Sequence, residues 1–196
     1  MAQVILRPIG DGLTSGNHQG FPTTTSTYFD KVYESTRDNY SSWIAVSSTN
    51  AAHLFTTSCA LDASANISSV EIHMWATKRP TGTNNGRIWF VQGSTQYLTY
   101  HAGVSVAQSA FTDYSCYMRY SLATSANWTA AEVNTGAFAF GFRATDAAPA
   151  VYVTQMYAYV NYDNYVPPPI GGGEYYPVDA RGMFVGMGDG TYRGIR

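Results

Sequence analysis

The segment from Ile67 to Ala76 alternates between apolar and polar side chains, and this pattern restricts the fold more than any other feature of the chain. Val70, Ile72 and Met74 fall on one side, whereas Glu71 and His73 fall on the other. A period of two residues indicates a β-strand in a sheet that buries one face.

Similar short segments recur along the chain, separated by turns rich in Gly, Pro and Asn. In one of them, Phe138, Phe140 and Phe142 alternate with small residues, which places three rings in the core. The spacing of the segments predicts an all-β fold, an antiparallel β-sandwich. The other predicted strands are 28–33, 42–46, 53–59, 87–92, 95–101, 113–122 and 150–162.

One short helix is predicted between the strand 113–122 and the strand that contains Phe138. Thr129 and Glu132 have the spacing of a capping box, and Gly136 would end the turn. The segment between these residues allows a turn or two of helix.

Residues at both ends differ from the predicted body, residues 28–162. Residues 1–27 contain many turn-forming residues from Gly10 onward, which predicts a loop or an N-terminal extension. Residues 163–196 contain Pro167–Pro169 and then Gly171–Gly173, which favour an extended chain followed by a hinge.

The C-terminal segment is too apolar for an ordinary solvated tail. We therefore interpret it as an extended assembly arm that becomes ordered against a partner. Its expected anchoring residues are Tyr165, Tyr175, Tyr176, Met183, Phe184, Met187, Tyr192 and Arg193.

The charge content argues against several classes of function. Only 12% of residues are charged and the net charge is -2, so no clustered positive surface for nucleic acid is expected. No apolar stretch is long enough for a membrane span, and the one at the N-terminus is too short for a signal peptide. We expect synthesis in a cytoplasm, with Cys59 and Cys116 buried as free thiols.

No catalytic motif, cofactor or metal site is predicted. The histidines lack metal-ligand spacing, and a solvent-facing side chain is expected for His73. Gly186–Gly190 resembles a glycine-rich loop but lacks the flanking strand and helix of a nucleotide site. A hydrolase with two opposed carboxylates remains an alternative.

Three aromatic residues could bind a carbohydrate. Trp75, Trp89 and Tyr97 lie on predicted strands, where exposed rings can stack on sugars. Packing in the core or at a subunit interface is the competing interpretation.

Three sequence segments together resemble the jelly-roll virion proteins of tailed bacteriophages. They are Trp128–Asn134, Val151–Tyr157 and Ile67–Ile72, and the likeness extends over about residues 28–162. The resemblance implies a jelly-roll sandwich and a role as a head decoration protein or as a module of a tail or fibre. It supplies no catalytic residue.

We therefore expect a non-enzymatic virion protein, made in the host cytoplasm, that most closely fits a capsid decoration and stabilisation role. Its expected partners are further copies of itself, with a trimer as the preferred state, and other virion proteins such as the major capsid protein. A carbohydrate- or receptor-binding module of a tail fibre is the first competing hypothesis. A polysaccharide-degrading enzyme is the second, and a cellular extracellular filament is the third.

Overall fold

The computed structural model describes most of the body of the chain and two short segments near its C-terminus. The described residues are 1–15, 18–21, 27–37, 41–46, 50–78, 85–93, 95–98, 104–105, 110–134, 136–145, 151–164, 184–186 and 192–194. Compact packing divides the chain into two units, Met1–Asn164 and Tyr165–Arg196.

The first unit is an antiparallel β-sandwich of jelly-roll type, as predicted. Its strands are β1 (Ala2–Leu6), β2 (Pro8–Ser15), β3 (His18–Phe21), β4 (Trp43–Val46), β5 (Ala52–Thr57), β6 (Ala65–Lys78), β7 (Asn85–Gln92), β8 (Thr95–Leu98), β9 (Val104–Ser105), β10 (Thr112–Met118), β11 (Phe138–Ala144) and β12 (Val151–Asn164). The helical elements are a 3-10 turn at Phe29–Lys31 and helix α1 at Ala130–Val133.

Two sheets form the sandwich. The front sheet has the order β10-β6-β12-β4-β3, and β1 also pairs with β12. The back sheet has the order β2-β5-β11-β7-β8, and β9 also pairs with β7. The alternation predicted for β6 and β11 is confirmed, because Val70, Ile72, Phe140 and Phe142 are fully buried in one core shared by both sheets.

The N-terminal residues differ from the extension or loop expected for 1–27. Strand β1 pairs with β12, β2 with β5, and β3 with β4, so this segment contributes to both sheets. Gly12 belongs to the stretch that predicts turns, yet it lies against β5, where a Cβ atom would be only 3.0 Å from the carbonyl oxygen of Leu54. Its missing side chain therefore permits close approach of two strands.

The segment 28–33 forms the 3-10 turn and not the predicted strand. The carboxylate of Asp11 accepts hydrogen bonds from the backbone N–H groups of Tyr28 and Phe29, both at 2.8 Å. It also contacts Nε2 of the buried His53 at 3.1 Å. A carboxylate that satisfies the first N–H groups of a turn stabilises that turn over an extended chain.

The predicted helix is confirmed, and its glutamate connects three elements. Glu132 Oε2 accepts hydrogen bonds from the backbone N–H and the hydroxyl of Thr129, whereas Oε1 accepts from Gln92 and Ser121. Both carboxylate oxygens therefore act only as acceptors. The helix end is fixed separately by Asn134, which exchanges two hydrogen bonds with the backbone of Leu61.

Both cysteines are buried and free, as predicted. Burial, followed by the negative charge of Glu71, raises the pKa of the Cys116 thiol to about 11. Burial likewise raises the pKa of Cys59. Within the described ranges, no helix combines the length and apolar character needed to span a membrane.

The second unit contains a short antiparallel pair, β13 (Phe184–Gly186) and β14 (Tyr192–Gly194). This pairing gives local structure to a segment for which the sequence predicts an extended chain. Tyr165, Tyr175, Tyr176, Met183 and Met187 lie outside the described residues, and the assembly role of the arm stays a prediction.

Replacing Gly141 by alanine should destabilise the sandwich by about 3 kcal/mol or more. A Cβ atom at this position would overlap the carbonyl oxygen of His53 on the neighbouring strand, and that backbone cannot shift without disturbing the β5–β11 pairing. Denaturant unfolding would measure the loss. Gly136→Ala is the matched control: a positive φ of 84° strains any side chain there, but no atom lies within 4 Å, so the expected cost is about 1 kcal/mol. Equal costs for the two variants would contradict the close-contact explanation.

Glu132→Gln should lower the free energy of unfolding at pH 7, because an amide NH2 would face donors that the carboxylate now accepts. Burial alone would raise the pKa of Glu132, but hydrogen bonds from Ser121, Thr129 and Gln92 outweigh it and lower that pKa. The stabilisation is therefore complete above the ordinary glutamate pKa of about 4.3 and disappears as the pH falls through the lower folded value. Unfolding curves at pH 7 and pH 3 should show the difference between wild type and variant shrinking at pH 3. A difference independent of pH would show that the charge of Glu132 is not its source.

Candidate functional site

The candidate site begins with a gap beside strand β12 of the front sheet. On one side, β12 pairs with β6 along its whole length. On the other side, residues 151–153 pair with β4 and residues 158–162 pair with β1, which leaves residues 154–157 without a neighbouring strand among the described residues. The register of β12 also shifts between Val153 and Gln155, which marks a β-bulge there.

The segment Tyr33–Arg37, here called the strap, follows this gap. Directly before it, the carbonyl oxygen of Val32 accepts a hydrogen bond from the backbone N–H of Met156 at 2.9 Å. The Glu34 carbonyl oxygen accepts hydrogen bonds from the side chains of Gln155 at 2.6 Å and Arg7 at 2.7 Å. A backbone N–H that the missing strand leaves available therefore holds the residue before the strap, and the side chains of Gln155 and Arg7 hold the strap itself.

Arg37 attaches the other end of the strap to the front sheet. Its guanidinium forms a salt bridge with Asp113 on β10 and lies 4.0 Å from the ring centroid of Trp75 on β6. Trp75 also stacks on Phe111 with ring centroids 6.4 Å apart. Arg37 and Phe111 thus contact the Trp75 ring, which holds the strap against the sheet.

A cleft with a volume of about 370 Å3 lies between the strap and the front sheet. This front cleft is lined by Arg7, Ser35, Thr36, Arg37, Gln155, Tyr157 and Tyr159. Its size falls at the lower end of the range for small-molecule sites, about 300–1,000 Å3. Its lining combines aromatic rings with hydroxyl, amide and guanidinium groups.

The floor of the cleft continues into a cluster of rings. His73 stacks on Tyr157 with centroids 4.8 Å apart and an angle of 6°, and Tyr159 meets both rings edge-on. Asp113 contacts His73 Nδ1 at 3.1 Å, and Glu71 lies 3.5 Å from Nε2. His73 lies on the outer face of β6, but its side chain is only 15% exposed within this cluster and is not the solvent-facing group expected from the sequence.

The pKa of the Tyr157 phenol lies above its ordinary value. Burial is the largest cause that raises its pKa, and the charge of Asp113 and the neighbouring Tyr159 act in the same direction against a hydrogen bond from Arg37. A protonated phenol can donate a hydrogen bond as well as accept one. The cleft therefore presents groups that match ligand hydroxyls in both roles.

The three aromatic residues predicted to stack on sugars do not share one site. Trp75 stands beside the front cleft and supports the strap. Trp89 lies in the back sheet, is only 6% exposed and packs with Ala52 and Leu54, so burial removes it from the expected sugar-stacking surface. Tyr97 is on β8 opposite Phe90, and its side chain lies outside the described residues.

Sequence reasoning missed the residues that line the cleft. The alternation of Tyr157 and Tyr159 with buried Met156 and Ala158 could have indicated two tyrosines on an exposed face. No sequence signal identified the strap or Arg7, because their position depends on the gap between two strands distant in sequence. Among the described side chains, no group of three His, Cys, Asp or Glu residues is arranged to hold a metal ion.

Comparisons with known proteins found similarity to the backbone of solved structures but none at the level of sequence. No family model matches the sequence, and no curated protein matches it. The solved structures with a similar trace include the CBM22-1–GH10 modules of the endo-1,4-β-D-xylanase 10B of Clostridium thermocellum, complexed with xylohexaose, at a TM-score of 0.47 and 11% identity. The match covers 90% of this chain but only 30% of that longer one.

Two smaller structures match over most of their length. The CBM35 of Abf62 from Cellvibrio japonicus gives a TM-score of 0.44 at 10% identity, covering 82% of this chain and 94% of that one. The xylan-binding module CBM15 gives 0.45 at 10% identity, covering 81% and 97%. Similarity of this size assigns no function to the present chain.

Removing the Arg37 side chain should loosen the strap without unfolding the sandwich. Arg37→Ala eliminates the salt bridge to Asp113 and the contact with Trp75, and the expected result is at least tenfold faster amide hydrogen exchange across Glu34–Arg37. The exposure of the ion pair limits the global destabilisation to about 1 kcal/mol.

Arg119→Ala is the matched control, because Arg119 lies over the ring of Tyr120 and does not line the cleft. Hydrogen exchange followed by mass spectrometry would compare the two variants. Unchanged protection of the strap in Arg37→Ala would contradict the proposed attachment.

Proposed function

We propose that this protein is a non-enzymatic carbohydrate-binding module that holds a neutral glycan in the front cleft. The observation that carries the proposal is the convergence of Tyr157 and Tyr159 with Ser35, Thr36 and Gln155 around one open cleft. Tyrosine faces pack against the C–H surface of a sugar ring, while side-chain hydroxyl and amide groups bond its hydroxyls.

The charges around the cleft favour a neutral ligand. Arg37 is paired with Asp113, and Arg7 donates to the carbonyl oxygens of Tyr33 and Glu34. The two carboxylates at the floor of the cleft, Glu71 and Asp113, equal these two guanidinium groups in formal charge, so the cleft has no net positive charge to attract an anion. An apolar ligand would in turn leave the hydroxyl and amide groups without partners, which costs about 1–3 kcal/mol for each buried group.

The surface beside the cleft could contact further sugar units. Tyr117, Glu71 and Tyr159 lie opposite one another in a row across β10, β6 and β12. Tyr117 is 56% exposed and points outward from the front sheet. A glycan chain leaving the cleft along this row would meet a second tyrosine.

Glycan binding should be at least tenfold weaker in Tyr159→Ala, because the cleft loses a ring and a hydroxyl, and about tenfold corresponds to 1.4 kcal/mol. The measurement is a glycan array followed by calorimetry with the neutral oligosaccharide that binds best. Tyr120→Ala is the matched control, since Tyr120 is 46% exposed and does not line the cleft. Thermal unfolding of both variants would confirm that they remain folded.

Two results would contradict the proposal. One is the absence of binding to every neutral glycan on the array, and the other is equal binding by Tyr159→Ala and Tyr120→Ala. Release of new reducing ends from a bound polysaccharide would support the enzymatic hypothesis and overturn the non-enzymatic assignment.

The virion role implied by the resemblance to phage jelly-roll proteins stays a prediction. A glycan-binding face would suit a module of a tail fibre better than a decoration protein, since fibres contact cell-surface carbohydrates. Self-association through residues 163–196 is a separate prediction and does not depend on the front cleft.

A further inference from the structure

The outer face of the back sheet carries two arginines directly opposite each other. Arg87 on β7 and Arg143 on β11 are register partners in an antiparallel pair. Such partners have their Cβ atoms about 4.5–5.5 Å apart on the same face of the sheet. Their neighbours Ile88 and Phe142 belong to the core, so both arginines point away from it, and both are half-buried.

Within the described part of the chain, nothing neutralises this pair. Neither guanidinium forms a hydrogen bond or an ion pair there, and Arg87 Nε is buried without a hydrogen-bond partner. Like charges directly opposite each other destabilise a sheet, and a buried donor without an acceptor adds to that cost. At the front cleft, by contrast, Arg37 of the strap is paired with Asp113.

The surroundings of the pair strengthen its attraction for an anion. Ala52 lies opposite Arg143 on its other side, and the adjacent row contains Leu54, Gly141 and Trp89. Ala52, Leu54 and Trp89 form a small buried apolar cluster. Electrostatic attraction is stronger near apolar groups than in open water.

We propose that Arg87 and Arg143 form a binding site for an oxyanion, which is a carboxylate, sulfate or phosphate group. Each guanidinium is a planar fork of N–H donors that matches two oxygens of such a group. A bound anion would place one negative charge between two positive charges and accept hydrogen bonds from the terminal N–H groups of the two guanidiniums. This site lies on the sheet opposite the front cleft, and it does not depend on the proposed glycan function.

Sodium sulfate provides the first test. We expect it to raise the Tm of the wild-type protein more than sodium chloride at the same ionic strength, and Arg143→Gln should lose that additional increase. Sulfate also stabilises proteins generally, so the difference between wild type and variant is the decisive quantity. Arg119→Gln, with its arginine outside the back sheet, should keep the wild-type response.

A second measurement distinguishes this site from an ordinary structural arginine. In dilute chloride, Arg143→Gln should be at least as stable as wild type, because it removes a repulsion and not an ion pair. Arg143→Lys retains the charge and should keep part of the sulfate response. Equal sulfate responses of wild type and Arg143→Gln, or a clear loss of stability in Arg143→Gln in dilute chloride, would overturn the proposal.

The kind of molecule that carries the oxyanion is identified by measuring the Tm during titration with sodium phosphate, sodium glucuronate and glucose. A Tm increase with glucuronate but not with glucose, absent in Arg143→Gln, indicates a carboxylate carried on a sugar. An increase with sulfate and phosphate alone indicates a tetrahedral anion. No variant-dependent response to any of the anions would contradict the site.

Discussion

The candidate site depends on the fact that two different strands pair with separate parts of the same edge of β12. β4 covers residues 151–153 and β1 covers residues 158–162, so the backbone between them needs other hydrogen-bond partners. A buried backbone group without a partner is costly, and the carbonyl oxygen of Val32 meets this need at Met156. The strap is therefore a consequence of satisfying the central strand, and the cleft beneath it is a consequence of the strap.

The elements with a strong local pattern could be predicted from the sequence. The alternation around Ile72 and Phe140 identifies both the strands and their buried faces, because period-2 burial is a local property of a strand. Thr129 and Glu132 likewise indicate the helix within four residues of chain. Phe29 in the 3-10 turn could not be assigned in this way, since its geometry depends on the distant carboxylate of Asp11.

The site was less predictable than the fold because it requires contacts between residues far apart in the sequence. The alternation of β6 places Trp75 on the outward face, but the role of this ring follows from Arg37, which contacts it across the sheet. Trp89 has the same residue type and lies on a strand of similar pattern, yet it is buried with Leu54. Residue type and strand periodicity do not distinguish these two environments. They differ in the side chains that pack on each ring, which the local sequence does not show.

The arginines of the two faces have different charge partners, and this difference underlies the two proposed ligands. At the front cleft, Arg7 and Arg37 are matched in formal charge by Asp113 and Glu71, so the cleft presents polar groups with little unbalanced charge. On the back sheet, Arg87 and Arg143 are adjacent, and no described carboxylate pairs with either. Since an unbalanced charge must be compensated by solvent or by a bound ion, the two proposals assign a neutral ligand to the front face and an anion to the back face.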